Sequence, residues 1–220
     1  MGSTFTRTSL GDFPRIFTTK NGQSLRLQLL RESRHQQFME AYLAFQPRNS
    51  FQGLPPLKDE ICAKWVREMI GTGINLIAVC PQAGIAGHTA LFPIDDRKCE
   101  MLVVVWPQFQ NIGIGTELTR GCVQMACEMG FEQMWLPVDA TNLRARHIYA
   151  KCGFEYQSHQ PSRELDMVCD LTKHRASAKK DGMAREKMGI PAAHFDHNPA
   201  PIPMSGEPLL SCSGASANLV

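Results

Sequence analysis

The sequence predicts an α/β (α+β) domain with a mixed, mostly antiparallel sheet of about seven strands and about four helices. Three observations support this prediction: short apolar runs recur between residues 24 and 171, helical stripes of apolar residues separate several of them, and glycines end those stripes. The chain has 220 residues, of which 43% are hydrophobic. That length and composition are sufficient for one packed core.

The order of the predicted elements is strand, two helices, three strands, helix, strand, helix and two strands. The strand-like segments are 24–30, 74–80, 85–92, 100–106, 133–138, 154–159 and 164–171. The first predicted helix carries Phe38, Tyr42 and Phe45, and the second carries Ile61, Trp65 and Met69. The third carries Ile114, Leu118, Cys122, Met125 and Met129, and a short fourth helix spans 142–152.

Composition divides the chain into three parts. We expect an N-terminal extension over 1–14, a globular domain over 15–171 and a tail over 172–220. The tail is rich in Pro, Ala, Ser and Gly, so it has too little apolar surface to offset its ordering entropy. We expect it to be mobile unless a partner or the surface of the domain holds it.

Charge and apolar runs argue against nucleic-acid and membrane partners. The 23 basic and 21 acidic residues leave a formal net charge of +2, with no long run of one sign. No segment approaches the roughly 20 apolar residues that span a bilayer, and the N-terminus has no signal-like apolar run. We therefore expect a cytoplasmic protein.

The eight cysteines lie in apolar segments without metal-ligand or framework spacing. We interpret them as reduced core thiols, since neither a Cys-x-x-Cys pair nor a disulfide pattern is visible. The "HFDH" segment at 194–197 has a His-x-x-His look, but two histidines without further ligands are weak support for a metal site. We predict no metal.

The stretch "WPQFQNIGIGTELTRG" (106–121) places Gly113 and Gly115 between a strand and a helix. Free amides and the positive end of the helix would meet there, which suits a phosphate, and a Cβ at either glycine would hold a phosphate oxygen away. The alternative is a helix start that packs closely on its strand. A P-loop is excluded because no lysine follows the glycines, and a Rossmann fingerprint is excluded because position 118 is Leu.

The segment "VVVWPQFQNIGIGTELTRGC" resembles the acyl-CoA signature of the GNAT superfamily of N-acyltransferases, whose pattern Q/R-x-x-G-x-G/A is met by Gln110, Gly113 and Gly115. The segment "LPVDATNLRARHIYAKCGFEY" (136–156) resembles the second signature of that family, with a strand, an Asn, a short helix carrying Tyr, and then "GF". The order of elements over about 15–171 also fits. The resemblance implies a single GNAT-like domain whose fourth and fifth predicted strands splay apart around the acyl group.

Acetyl-CoA is the co-substrate that the resemblance implies. The backbone of the glycine loop and the side chain of Gln110 would hold its pyrophosphate, the edge of the fourth predicted strand would pair with its pantetheine amides, and Asn142 would contact its arm. The predicted cofactor-binding residues are Val103, Val104, Val105, Gln110, Asn111, Ile112, Gly113, Ile114, Gly115, Thr116, Asn142 and Tyr149.

The resemblance also implies catalytic roles. Tyr149 would protonate the departing thiolate, and the alternative is a core tyrosine. The attacking amine must lose a proton, and Glu100 at the start of the fourth predicted strand is the leading acceptor, against the alternative of a solvated carboxylate. His88 is a second candidate, although a lone strand histidine is more often structural. Asp95 and Asp139 could attract a cationic substrate, or could be surface loop acids.

We predict an N-acetyltransferase that acts by direct attack through a tetrahedral intermediate, with a backbone N–H stabilising the oxyanion. A small amine or amino acid is the favoured acceptor, and a protein amine is the alternative within the enzyme class. A catalytically silent CoA-binding sensor or interaction module is the alternative outside that class. We also expect that the protein can form a homodimer.

Overall fold

The computed structural model describes residues 13–48, 54–158, 162–176 and 218–219. The strands are β1 (Arg15–Thr18), β2 (Ser24–Leu29), β3 (Ile74–Cys80), β4 (Gly84–Pro93), β5 (Lys98–Val105), β6 (Gln133–Asp139), β7 (Phe154–Tyr156), β8 (Glu164–Asp170) and β9 (Asn218–Leu219). The helices are α1 (His35–Leu43), α2 (Asp59–Thr72), α3 (Ile114–Glu128) and α4 (Leu143–Lys151), with 3-10 turns at Glu32–Arg34 and Pro107–Phe109.

The strands form one mixed sheet in the order β1-β2-β3-β4-β5-β6-β8-β7, and β9 pairs with β5 off this path. All neighbours along the path are antiparallel except β5 and β6, which are parallel, and β9 is parallel to β5. The predicted fold class is therefore confirmed. The sequence predicted about seven strands, and β1 and β9 are the additional ones.

The strand β1 was not predicted, although Asn21-Gly22 precedes the predicted strand at 24–30. The dipeptide lies in the turn of a hairpin between β1 and β2, where Gly22 has φ +84 and Thr18 pairs with Ser24. Asn-Gly between two extended runs is a strong hairpin signal, and the four-residue run "RIFT" is short enough to escape notice.

The sheet opens between β5 and β6. Their ladder contains three pairs, from Lys98 with Gln133 to Glu100 with Trp135, although β5 continues to Val105 and β6 to Asp139. Beyond Glu100 the two strands separate, so the predicted splay is confirmed at this position.

Helices cover both faces of the sheet. Gly87 in β4 faces α3, because a Cβ there would lie 2.7 Å from Leu118 Cδ1 and 3.1 Å from Ile114 Cγ2. The next residue, His88, faces α1, where its ring packs against Phe38 at 4.7 Å between centroids. Successive side chains of a strand point to opposite faces, so α3 and α1 lie on opposite sides. The absence of a side chain at 87 lets the first turns of α3 approach the sheet closely.

The buried stripe of α2 differs from the predicted one. Ile61 is 53% exposed and Trp65 is only partly buried, whereas the helix buries Cys62 and Val66 together with the predicted Met69. Both sets have helical spacing, so periodicity alone did not separate them; the contact with α1 does, since Cys62 Sγ lies 3.9 Å from the carbonyl of Tyr42. In α3, by contrast, Ile114 is buried as predicted, together with Leu118, Cys122 and Met125.

The seven cysteines in the described part of the chain are free, and six of them are buried. Burial raises the pKa of most of these thiols, for example that of Cys152 to about 11 and that of Cys122 to about 12. They pack as small apolar side chains, as interpreted from the sequence.

Several predictions fall on parts of the chain outside the described residues. These include most of the N-terminal extension over 1–14, the "HFDH" segment at 194–197, and the tail apart from 172–176 and 218–219. Across the described ranges, no helix combines the length and the apolar character that crossing a bilayer requires.

Candidate active site

The loop between β5 and α3 contains two residues in the left-handed conformation. Asn111 has φ +68, and Gly113, the N-cap of α3, has φ +98. L side chains rarely adopt such a backbone conformation, so glycine at 113 is required by the turn itself. The turn directs the start of α3 toward the place where β5 ends.

This turn leaves backbone donors at the start of α3. The N–H of Glu117 donates to the carbonyl of Gly113 at 3.2 Å, so the N–H groups of Ile114, Gly115 and Thr116 precede the first intrahelical bond. Ile114 is 1% exposed, and the residues at this helix start that line the cleft are Gly113, Gly115 and Thr116. Around the position of a Cβ at Gly113, the nearest heavy atom is Lys20 Cγ at 3.9 Å. The space and the donors both suit a phosphate.

The Gln110 side chain connects the end of β5 to α4. Its Nε2 donates to the carbonyl of Val105 at 3.2 Å, and its Oε1 accepts from Arg144 Nη1 at 3.1 Å. On the other side of the loop, the carbonyl of Ile112 accepts from the backbone N–H of Lys20 at 2.9 Å. The loop is therefore braced by α4 and by the β1–β2 turn.

A cleft of about 400 Å³ opens at this loop. Its lining includes six of the predicted cofactor-binding residues, which are Val105, Gln110, Asn111, Gly113, Gly115 and Thr116. It also includes residues that sequence reasoning missed, which are Lys20, Phe109, Leu143, Arg144, His147, Ile148 and Lys151. The α4 residues of this lining repeat at helical spacing, which could have indicated that they share one face. No local sequence pattern around Lys20 indicates that it lies at the cleft.

The predicted pantetheine edge lies where β5 leaves β6. Val103 and Val104 pair there with Asn218 and Leu219 of β9. The same backbone edge that an extended ligand would use therefore carries a two-residue strand of the C-terminal tail. Trp106 follows β5 and still donates its N–H to Ala86 at 3.0 Å, so the departure from β4 begins at Pro107.

Asn142 begins α4 as its N-cap, and its Oδ1 accepts from the N–H of Ala145 at 3.1 Å. This bond satisfies one of the unpaired amides of the first turn and fixes where the helix starts. The predicted contact of Asn142 with the cofactor arm stays a prediction.

Tyr149 lies on α4 and is 0% exposed, with its ring 5.7 Å from that of Phe154. Among the described residues its hydroxyl has no hydrogen-bond partner. Burial raises the pKa of this phenol well above its usual value. A buried hydroxyl without a hydrogen-bond partner costs free energy. A polar ligand atom placed next to it would remove this cost.

Glu100 is the last residue of β5 that pairs with β6, at the point where the splay begins. The side chain is partly buried, and burial raises the pKa of its carboxyl group. A raised pKa makes the carboxylate a better proton acceptor, which favours the predicted base over a solvated strand-end acid.

His88 is fully buried and engaged at both ring nitrogens. Its Nδ1 lies 2.8 Å from the hydroxyl of Tyr42, and its Nε2 lies 2.9 Å from Oδ1 of Asn75. Burial lowers the pKa of His88 to about 3. The side chain therefore has the structural role that the sequence analysis gave as its alternative.

Asp95 and Asp139 hold their own turns. Asp95 Oδ1 accepts from the N–H groups of Arg97 and Lys98 at 2.8 Å each, and Asp139 Oδ1 accepts from the N–H and the hydroxyl of Thr141. These bonds lower the pKa of both carboxyl groups. Both residues therefore fit the alternative interpretation, in which they are acids of surface loops. No group of three or more potential metal ligands occurs in the described ranges.

Comparison with known proteins gives a family and a fold. A sequence model described as "Acetyltransferase (GNAT) family" matches residues 29–154, which is more than half of the chain. An uncharacterized N-acetyltransferase of Mycobacterium tuberculosis is 32% identical over 72 residues, which are 32% of this chain and 46% of that protein. The chain thus spans about half the length of the curated relatives it matches.

Solved structures share the fold at low sequence identity. The GNAT domain of S. lividans PAT superposes with a TM-score of 0.62 at 12% identity, over 71% of this chain and 96% of that one. A spermidine N-acetyltransferase from Vibrio cholerae, solved in complex with CoA and spermine, superposes with a TM-score of 0.55 at 18% identity, over 68% of this chain and 96% of that one.

Proposed function

Because the chain belongs to the Acetyltransferase (GNAT) family, we propose that it is an N-acetyltransferase that moves an acetyl group from acetyl-CoA to a primary amine. The observation that carries the proposal is the position of the left-handed turn at Gly113. This turn presents the first amides of α3 into a cleft beside the end of β5.

Two features of the structure fit acetyl-CoA. The amides of Ile114, Gly115 and Thr116 precede the first intrahelical bond of α3 and suit a pyrophosphate. The buried hydroxyl of Tyr149 lacks a hydrogen-bond partner among the described residues. The sulfur of the bound thioester, or the thiolate formed when the C–S bond breaks, would supply that partner. Both features belong to the two segments that carry the family resemblance.

The reaction proceeds by direct transfer. The amine nitrogen attacks the thioester carbonyl carbon, a C–N bond forms, and the C–S bond breaks. The nitrogen gives up a proton and the departing thiolate takes one, so the products are an amide and free CoA. A backbone N–H at the splay would stabilise the negative oxygen of the tetrahedral intermediate.

Tyr149 is the proposed acid. A thiol has a pKa near 8.5 and a phenol one near 10, so a tyrosine can donate to a thiolate in the transition state at small cost. Burial raises the pKa of Tyr149 further, which keeps the phenol protonated between turnovers but increases the free-energy cost of the donation. The raised value also makes proton loss to bulk water unfavourable, so the proton must return during the catalytic cycle.

Glu100 is the proposed base, acting directly or through water. An alkylammonium has a pKa near 10.4, so little free amine exists at neutral pH without an acceptor. Glu100 lies at the start of the splay and has a carboxyl pKa raised by burial. Its charge would also attract the cationic form of the amine.

A small amine or an amino acid is the proposed acceptor, with a protein amine as the alternative. The fold relationship to the Vibrio cholerae enzyme, whose structure contains spermine, makes polyamines the first members of a test panel. The cytoplasmic location and the homodimer stay predictions.

The test is a thermal-shift titration with acetyl-CoA, followed by thiol release against polyamines, amino acids and peptides. Stabilisation with thiol release from at least one acceptor would support the proposal. Stabilisation without release from any acceptor would favour a CoA-binding sensor, and no stabilisation would overturn the assignment of the glycine loop.

A further inference from the structure

The cleft at the glycine loop is lined by basic side chains from two separate elements. Lys20 comes from the β1–β2 turn, whereas Arg144, His147 and Lys151 come from α4. No acidic side chain belongs to the lining, and none of these four residues forms an ion pair within the described ranges. Cations that converge on a cleft without a protein counter-ion suit an anionic ligand.

The three α4 residues form a stripe, which we call the α4 stripe. Their positions, 144, 147 and 151, repeat at helical spacing, so they share one face over about 10 Å of the helix. All three are exposed at the cleft. Other arginines of the same region are paired, as Arg15 and Arg120 are with Glu117. The α4 stripe is therefore an open cationic surface next to the phosphate loop.

Lys20 is held directly against the loop. Its backbone N–H donates to Ile112, and its Cγ lies nearest to the space above Gly113. The turn that carries it is closed by Thr19, which bonds Gln23 through both its backbone and its hydroxyl. Lys20 is thus positioned over the amides of α3, and the α4 stripe lies on the helix that packs beside α3.

We propose that this chain binds the 3′-phosphate of CoA with the α4 stripe, while Lys20 pairs with the pyrophosphate. The inference rests on the proposed function. CoA carries a pyrophosphate and a separate 3′-phosphomonoester, and the three free amides of α3 together with Lys20 match the first of these groups. The second group then requires cations of its own, which Arg144 and Lys151 supply along the cleft, with His147 between them.

This assignment has a consequence for substrate choice. A donor that lacks only the 3′-phosphate, acetyl-dephospho-CoA, leaves the α4 stripe without its counter-charge and is used less well. The discrimination is electrostatic, so it weakens as ionic strength rises.

Calorimetric titration of CoA and 3′-dephospho-CoA into the full chain tests the assignment. We expect the wild type to favour CoA by roughly tenfold or more, which corresponds to at least about one charge-assisted phosphate contact. The double variant Arg144→Gln/Lys151→Gln should lose most of this preference by weakening CoA binding alone. Lys20→Gln should weaken both ligands by the same factor, since both carry the pyrophosphate.

The matched control is Arg31→Gln/Arg67→Gln, which removes the same charge from exposed positions outside the cleft lining and should keep the preference. Equal binding of the two ligands by the wild type, or an unchanged preference in the Arg144/Lys151 variant, would overturn this inference while leaving the acetyltransferase proposal standing. Failure of both ligands to bind would overturn the two together.

Discussion

Glu100 and Trp135 form the last residue pair of the parallel ladder between β5 and β6. The strands separate immediately after this pair, so the carboxyl group lies where the sheet opens. Burial at this point raises the pKa of Glu100. Burial therefore disfavours the ionised form of Glu100, and this residue lies where the proposed reaction would begin.

Glu100→Gln should separate activity from stability. Loss of the base is expected to lower kcat by about 10²-fold, and the acidic limb of the pH-rate profile should disappear. The folded-state pKa of Glu100 lies above its ordinary value, so its contribution to stability is present at low pH and is lost as pH rises through the raised pKa. We therefore expect the variant to be at least as stable as the wild type at pH 8 by chemical denaturation. Unchanged kcat would remove Glu100 as the base.

Tyr149→Phe should lower turnover more than acetyl-CoA affinity. The hydroxyl has no partner among the described residues, so its removal is expected to leave the unfolding free energy unchanged or slightly raised. Thiol-release kinetics and denaturant unfolding measure the two effects.

Tyr42→Phe is the matched control, because its hydroxyl is equally buried but lies 2.8 Å from His88 Nδ1. That change should cost about 1–3 kcal/mol of stability by leaving a ring nitrogen unpaired. Equal turnover of wild type and Tyr149→Phe would contradict the role of Tyr149 as the acid.

Gly113→Ala should weaken acetyl-CoA binding by forcing a side chain into a left-handed conformation at the phosphate loop. Gly130→Ala is the control, since Gly130 has φ +91 just after the other end of α3 and open space around its Cβ position. Both variants should lose similar stability in thermal unfolding. Similar acetyl-CoA dissociation constants for the two would show that the loop at 113 does not hold the ligand.

His88 should make the fold sensitive to acid. Its folded-state pKa of about 3 lies below the ordinary value of 6.5, so the unfolded chain takes up a proton below pH 6.5 while the folded chain does not. Stability should therefore fall from about pH 6.5 towards pH 3, by up to about 1.4 kcal/mol per pH unit from this group. His88→Gln should be less stable at pH 7 but show a shallower decline, measured by urea unfolding at several pH values. Parallel declines in the two proteins would refute this account.

Cutting the chain after Ala176 should leave a cooperatively folding domain that binds acetyl-CoA a few-fold more tightly. The described structure continues past the predicted boundary at 171 as far as Ala176, and Leu171 itself is fully buried, with its N–H donating to the carbonyl of Glu132. The cut removes β9, which pairs with Val103 and Val104 at the edge predicted for pantetheine.

A full-length control carries Asn218→Pro and Leu219→Pro, which remove the N–H groups that such a strand could donate. It should match the truncated chain in affinity. A molten truncated product would show that the tail belongs to the core, and unchanged affinity in both proteins would show that β9 and the ligand do not compete.

Local patterns in the sequence were sufficient for the elements that carry the family resemblance. The strand 74–80 and the start of α3 at Ile114 follow from apolar periodicity and from the glycines that bound them. The position of Gln110, Gly113 and Gly115 between a strand and a helix, together with the second segment at 136–156, led to the family. Such features depend on residues close in sequence, whose preferences are expressed before any tertiary contact forms.

Tertiary structure decided what depends on distant partners. The choice between Ile61 and Cys62 as the buried position of α2 follows from packing on Tyr42, and His88 became a buried structural residue through Tyr42 and Asn75. Lys20 reaches the phosphate loop only because a hairpin far upstream in the sequence folds back on it. The sequence alone determined the kind of site and the backbone that builds it. The charges around that site were decided by the fold, because long-range contacts leave no periodic signal along the chain.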